Sequence, residues 1–154
     1  IGGGHVGKAV VHLAKWLGFR VAVSDDREEF CNPESVPGAD AYYPVSMAEL
    51  PNQLSVTNQT YLVVTSRGSG VDAKGLPSLL ESEAAYIGVI GSKRRWLTTV
   101  KALKEKGVAE EKIARVHSPM GLELNAETPE EIAVSIMAEV LMLKDKGTGK
   151  MMKE

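Results

Sequence analysis

Six residues, Gly2-Gly3-Gly4-His5-Val6-Gly7, constrain this chain more than any others, because they spell G-x-G-x-x-G directly ahead of a helical pattern. Each glycine of that pattern has its own geometric task. The first permits a tight turn after a strand, the second lets a phosphate approach the backbone, and the third lets helix pack on strand. Amides freed at the helix start then meet an anion, helped by the helix dipole. Without a ligand, the same residues would be a tight structural turn. Ile1 reads as the last residue of the strand the motif requires, so the first strand is expected to be truncated and the sequence to be a fragment. A leader peptide is not expected where a glycine loop stands.

The rest of the chain alternates β-rich and helical runs, which predicts βαβ units and a mostly parallel sheet. Val6, Val10, Leu13, Ala14 and Leu17 share one helical face, and Gly18 sits where a helix-ending glycine belongs. Strands are expected over 19–24, 41–44, 61–65 and 84–90. A turn is expected near 28–31, and helices over 47–54, 73–82 and 92–106, the second interrupted early by Gly75 and Pro77. Thr128-Pro129-Glu130-Glu131 supplies an N-cap, a first-turn proline and a capping-box glutamate. The helix it opens carries Ile132, Ala133, Ile136, Met137, Val140 and Leu141 toward a core. The fold class is therefore α/β: a Rossmann-like, doubly wound, mostly parallel sheet flanked by helices. One domain, 1–147, is followed by a polar tail, 148–154, expected to fray.

Composition narrows the function classes. The 154 residues suit one domain with a real core, at 44% hydrophobic and 25% charged. A net charge of -2 offers no basic field for nucleic acid. No apolar run reaches the roughly 20 residues of a membrane span. A single cysteine, Cys31, excludes an internal disulfide and suits a reducing cytoplasm, so a cytoplasmic protein is expected. No metal-ligand spacing, G-x-S-x-G elbow or P-loop lysine occurs.

Candidate ligand contacts gather at strand ends. Asp25 closes the second strand, where a carboxylate receives ribose hydroxyls in NAD sites; Asp26 rivals it. Arg27 has two roles open to it, pairing a second phosphate or offsetting the two acids. Gly91-Ser92-Lys93-Arg94-Arg95 repeats the loop logic after another strand, and three cations in a helix's first turn oppose the macrodipole unless an anion binds there. Thr65-Ser66-Arg67-Gly68-Ser69-Gly70 offers hydroxyls and a cation, or is a mobile loop. His5 is placed to face a ligand, whereas His12 reads as structural or exposed. Cys31 is a thiol that could accept sulfur, with inert packing the better reading.

The segments GGGHVG, GFRVAVSDDREEF, YIGVIGSKRR and HSPMGLELNAETPEEIAVSIMAEV together resemble the carboxyl-terminal Rossmann domain of the XdhC/CoxI proteins, which are xanthine dehydrogenase accessory factors. The resemblance spans nearly the whole chain, and its last two segments are far more specific than the glycine loop. It implies a chaperone that binds molybdenum cofactor (molybdopterin), assists its sulfuration and shields it until insertion, rather than a catalyst of the oxidation. It implies an apo molybdenum hydroxylase and a cysteine desulfurase as partners, with a homodimer also open. By position it picks out Gly2, Gly4, His5, Gly7, Asp25, Arg27, Gly91, Ser92, Arg94, His117, Pro119, Gly121 and Glu131. Ser69 stands where many relatives carry histidine, which weighs against catalysis in that loop. The competing reading is an NAD(P)-dependent oxidoreductase built on the same glycine loop, for which no general acid or base stands out.

Overall fold

The computed structural model describes residues 1–153. Helix α1 (His5–Trp16) leaves the glycine loop and leads to β1 (Ala22–Ser24), which pairs in parallel with β2 (Ala41–Tyr43). The strand β3 (Tyr61–Val64) pairs in parallel with β4 (Tyr86–Val89), and β4 with β5 (Val116–His117). Ile1 and Gly2 join these two groups. The Ile1 amino group donates to the Val63 carbonyl at 2.7 Å. The Ile1 carbonyl accepts from Thr65 N–H, and Gly2 N–H donates to the Ser24 carbonyl, both at 2.7 Å. The parallel order is thus β2-β1-Ile1-β3-β4-β5, the doubly wound arrangement with Ile1 in the place of the first strand.

Alternation along β3 explains the layers. Tyr61 and Val63 face α1 and α6 (Pro129–Lys144), whose Val10, Ala14, Ala133, Ile136, Met137 and Val140 form one apolar layer. Leu62 and Val64 face the other way, onto α3 (Ser69–Leu80) and α4 (Lys93–Glu105) through Leu76, Leu79, Leu80 and Leu103. Central β4 is buried on both faces. Among the described residues, no helix is long and apolar enough to cross a membrane.

Several elements differ from expectation, each for a local reason. β1 begins at Ala22 rather than Phe19, because Phe19 N–H still closes the end of α1 on the Ala14 carbonyl. The helix expected over 47–54 is a single turn, α2 (Leu50–Gln53), with Pro51 in its first positions. α3 starts at Ser69, four residues earlier than expected, and carries Pro77 inside it. Proline takes away the N–H that would bind the Ala73 carbonyl. That carbonyl instead receives the Lys106 ammonium at 3.0 Å, so the helix continues. The short α5 (Glu110–Ile113) and two-residue β5 gave no periodic signal of their own. The tail turns back rather than fraying at once: Gly147 N–H donates to the Met142 carbonyl at 2.8 Å, and Gly149 lies beside Met142 and Leu122.

α6 begins as its residues predict. The Thr128 side chain accepts from Glu131 N–H, and the Glu131 carboxylate accepts from Thr128 N–H, both at 3.1 Å. The Thr128 and Glu127 N–H groups, both donating to this carboxylate, hold the Glu131 carboxyl below its usual range. Glu131 is therefore occupied by the helix cap. Thr128→Ala is expected to lower stability by about 1 kcal/mol with ligand affinity unchanged. Denaturant melts check this, and an unchanged midpoint would contradict it.

Candidate cofactor-binding site

The glycine loop is built by close approaches that no side chain would survive. Gly2 has φ +105°, and a Cβ there would lie 2.4 Å from the Thr65 carbonyl oxygen. At Gly7 a Cβ would meet the Gly2 carbonyl at 1.9 Å, which is the helix-on-strand contact the third glycine permits. Gly3 is glycine for a reason the motif does not state: its Cβ would lie 1.7 Å from the Phe30 carbonyl. Gly4 is the opposite case. It is the N-cap of α1, and a Cβ there meets nothing within 4 Å. No side chain caps α1, and the first amide satisfied within it is that of Lys8, on the Gly4 carbonyl at 2.9 Å. The loop thus presents unshielded amides at a helix start, beside an open approach over Gly4. His5 is exposed at the first helical position.

Asp25 requires a correction. Its side chain is almost fully buried, and its oxygens are already taken. Oδ2 accepts from Gly3 N–H and an Arg27 NH2 at 3.0 Å each; Oδ1 accepts from Arg27 N–H at 2.9 Å and Arg27 Nε at 3.0 Å. Four donors fill a carboxylate's capacity, so Asp25 locks the loop rather than receiving a ribose. Arg27 clamps Asp25 through Nε and NH2 and lies 4.0 Å over the Phe30 ring, which favours its role of offsetting the acid. Asp26, half exposed, pairs with Arg67 at 2.9 Å.

Burial of Asp25 opposes its ionisation, but the Arg27 guanidinium and the Gly3 and Arg27 amides outweigh it and hold its pKa at about 2, below the ordinary 3.8. A depressed folded-state pKa contributes stability above the unfolded value, lost as pH falls toward the folded one. The wild type is therefore expected to lose about 2 kcal/mol between roughly pH 4 and pH 2 from this group. Asp25→Asn should be less stable at pH 5 and flatter below it. Equal acid slopes in denaturant melts of the two proteins would refute the assignment.

The second loop stands at the same carboxyl edge, after β4. Gly91 has φ +131°, and Ser92 N-caps α4 by accepting from Arg95 N–H at 3.1 Å. Its three cations divide. Arg95 reaches back to fully buried Asp72, with NH2 2.8 Å from Oδ2, and to Ser66 Oγ, also at 2.8 Å. Ser66 Oγ in turn donates to Asp72 Oδ1. Lys93 and Arg94 remain exposed, with no acidic partner among the described residues.

The 117–121 segment follows β5 and meets the carboxyl end of β4. His117 stacks on Tyr86 (centroids 5.1 Å apart), on the α1/α6 face of the sheet. Its Nδ1 stands 4.0 Å from Glu139. The Tyr86 hydroxyl donates to Glu139 at 2.6 Å, and burial together with Glu139 pushes that phenol well above its usual pKa. Ser118 Oγ and Met120 N–H both reach the Val89 carbonyl, and Pro119 follows a cis bond. A Cβ on Gly121 would lie 2.3 Å from Ser135 Oγ, so that glycine admits α6. His117 and Gly121 are thus engaged with Tyr86, Glu139 and α6.

Sequence reasoning missed Asp72, Tyr86 and Glu139. Asp72 was findable, since it occupies the first turn of α3, but a helix start placed at Ala73 left it outside. Among the described residues no cluster of three His, Cys, Asp or Glu could hold a metal.

Parallel strands on both sides of a glycine-loop crossover, with bare amides at the start of α1, define a Rossmann-type binding domain. Within that class the chain belongs to the XdhC Rossmann domain family, whose model matches residues 1–140. It is 37% identical to the Escherichia coli (strain K12) protein YqeB, over 99% of this chain and 28% of that one. It is 29% identical to a Bacillus subtilis (strain 168) protein named as a probable xanthine dehydrogenase subunit, over 89% of this chain and 39% of the other. A crystal structure of a xanthine dehydrogenase from Bacillus halodurans superposes with a TM-score of 0.81 at 30% identity, over 94% of this chain and 43% of that one. The chain spans less than half the length of each of these relatives.

Proposed function

We propose that this domain holds molybdenum cofactor for a xanthine dehydrogenase-type hydroxylase, as part of an XdhC-type accessory factor. The observation that carries the reading is the cradle at Gly4, where any side chain would stand in the approach to the amides of α1. A pterin phosphate fits that cradle. When bound, the molybdenum pterin is the redox group of the enzyme it is destined for; the residues here bind and shield it. Lys93 and Arg94 extend the positive field along the carboxyl edge, where a second phosphate of a dinucleotide form would lie. Cys31 does not suit a sulfur carrier, because it is buried under Val23 and burial pushes its thiol upward. Sulfuration then draws on a partner such as a cysteine desulfurase, and delivery on the apo-hydroxylase.

The test is mass spectrometry of small molecules released from the purified protein, with molybdenum measured in parallel. Molybdopterin derivatives support the reading; NAD(P) released without molybdenum overturns it in favour of an oxidoreductase. Arg94→Glu should weaken molybdopterin binding about tenfold at low salt and less at high salt. An unchanged low-salt affinity would remove the second loop from the site.

A further inference from the structure

The apolar layer that α1 and α6 form over the sheet contains two polar side chains, Tyr86 and Glu139, both buried. The chain makes room for the bond between them. A Cβ on Gly88 would lie 2.3 Å from the Tyr86 hydroxyl, which donates to Glu139 Oε1 at 2.6 Å. Packing alone does not call for such a pair, since apolar groups of the same shape would serve as well. The pair leads to His117. Its ring stacks on Tyr86, and its Nδ1 stands 4.0 Å from the same Oε1. The Glu139 side chain is 11% exposed and that of His117 41%. Among the described residues His117 makes no side-chain hydrogen bond, and no buried side-chain nitrogen lacks a partner, so its Nε2 meets solvent.

We propose that His117 is a general base at the carboxyl edge of the sheet, with Glu139 as its positioning residue, and that it takes the proton of a thiol or hydroxyl on a bound ligand. The neutral ring keeps its proton on Nδ1, toward Glu139, and offers the Nε2 lone pair outward. Proton uptake at Nε2 makes an imidazolium that the carboxylate stabilises, and the proton then passes to water. Tyr86 holds Oε1 in place through its hydroxyl. A separation of 4.0 Å is long for a hydrogen bond, and contacts of this kind tighten when a ligand is bound. The location suits the task. His117 ends β5, and Ser118 and Met120 fasten the turn after it to the carboxyl end of β4. Val6, from the first turn of α1, packs in the same layer as Tyr86 and Met120. A ligand held on the amides of α1 therefore has this base on its own side of the sheet. The assignment goes beyond binding and shielding, and it stands whether that ligand is a pterin or a nucleotide.

NMR of the imidazole nitrogens above the histidine titration range, at about pH 8, reads the tautomer directly. The expected result for His117 in the wild type is Nδ1–H. Diethyl pyrocarbonate, which acylates the free lone pair of a neutral imidazole, reads reactivity, with peptide mass spectrometry separating His117 from His5 and His12. His5 and His12 are exposed, so access alone would label them at least as fast as half-buried His117. His117 is expected to label faster than either. Glu139→Gln, with native circular dichroism, should slow His117 about tenfold and leave His5 and His12 at their own rates. An Nε2–H tautomer in the wild type, or labelling no faster than that of His5 and His12, overturns the proposal. So does a folded Glu139→Gln protein whose His117 labels at the wild-type rate. Should that variant fail to fold, the two wild-type measurements decide the matter alone.

Discussion

Gly7→Ala is expected to destabilise the domain by about 3 kcal/mol or more and to leave much of it unfolded. At an open helical position the same change would stabilise by up to about 1 kcal/mol, since alanine is the better helix former. Here the sign reverses, because the added Cβ falls 1.9 Å from the Gly2 carbonyl oxygen. That oxygen cannot retreat. Gly2 N–H is bonded to the Ser24 carbonyl, and its own carbonyl accepts from Thr65 Oγ1 at 2.9 Å. Relief would have to come from shifting α1, whose Val10 and Ala14 are packed against α6 and the sheet. Gly4→Val separates folding from binding in the same loop. Its side chain enters open space, so circular dichroism and melts should be native-like while the phosphate approach is blocked. The pair of variants is decisive together. A stable Gly7→Ala protein would deny the close helix–strand contact, and a Gly4→Val protein with wild-type ligand affinity would deny the cradle.

The contrast between these two glycines also shows what the residues disclose in advance. The G-x-G-x-x-G spacing identified Gly2, Gly4 and Gly7 because each serves a backbone geometry that spacing alone encodes. Gly3 is just as constrained, yet its constraint comes from Phe30, and nothing local at position 3 reports a carbonyl arriving from residue 30. The same limit separates Asp25 from Asp26. Both stand at the end of β1, and only the placement of Gly3 N–H and the Arg27 fork shows which of them is consumed by the protein.

Element types were legible where periodicity was strong, as in α1, β3 and α6, because a single repeat sets both the fold and the buried face. α3 was misplaced for the opposite reason. Gly75 and Pro77 are local signals against a helix, and the compensation for Pro77 is the Lys106 ammonium, which arrives from the far end of α4. His117 shows how a motif can be recognised without its task being readable. Its neighbours Tyr86 and Glu139 are long-range in sequence, and the stack and carboxylate they provide exist only once β4, β5 and α6 have assembled.

Arg95→Met is the other large effect, and it concerns a cation that the sequence grouped with two exposed ones. Asp72 is completely buried, and Arg95 supplies its charge partner through Nε and NH2 at 3.2 and 2.8 Å. Removing one member of such a pair leaves an uncompensated carboxylate in the interior, at a cost of about 3–5 kcal/mol. Ser66 can still donate one hydrogen bond, which is too little to replace a guanidinium. Replacing both partners by apolar groups is a different experiment. Asp72→Leu with Arg95→Met removes the desolvated charge altogether and should recover most of the loss. The binding readout separates stability from organisation. Arg95 also holds the Ser66 carbonyl at 3.2 Å, tying the loop after β3 to the start of α4. A double variant that melts like the wild type but has lost that tie should bind anions at the carboxyl edge more weakly, since both loops meet there. A single Arg95→Met change costing under about 1 kcal/mol in denaturant melts would mean that Asp72 does not need its partner, and the pair would lose its place as the link between the two loops.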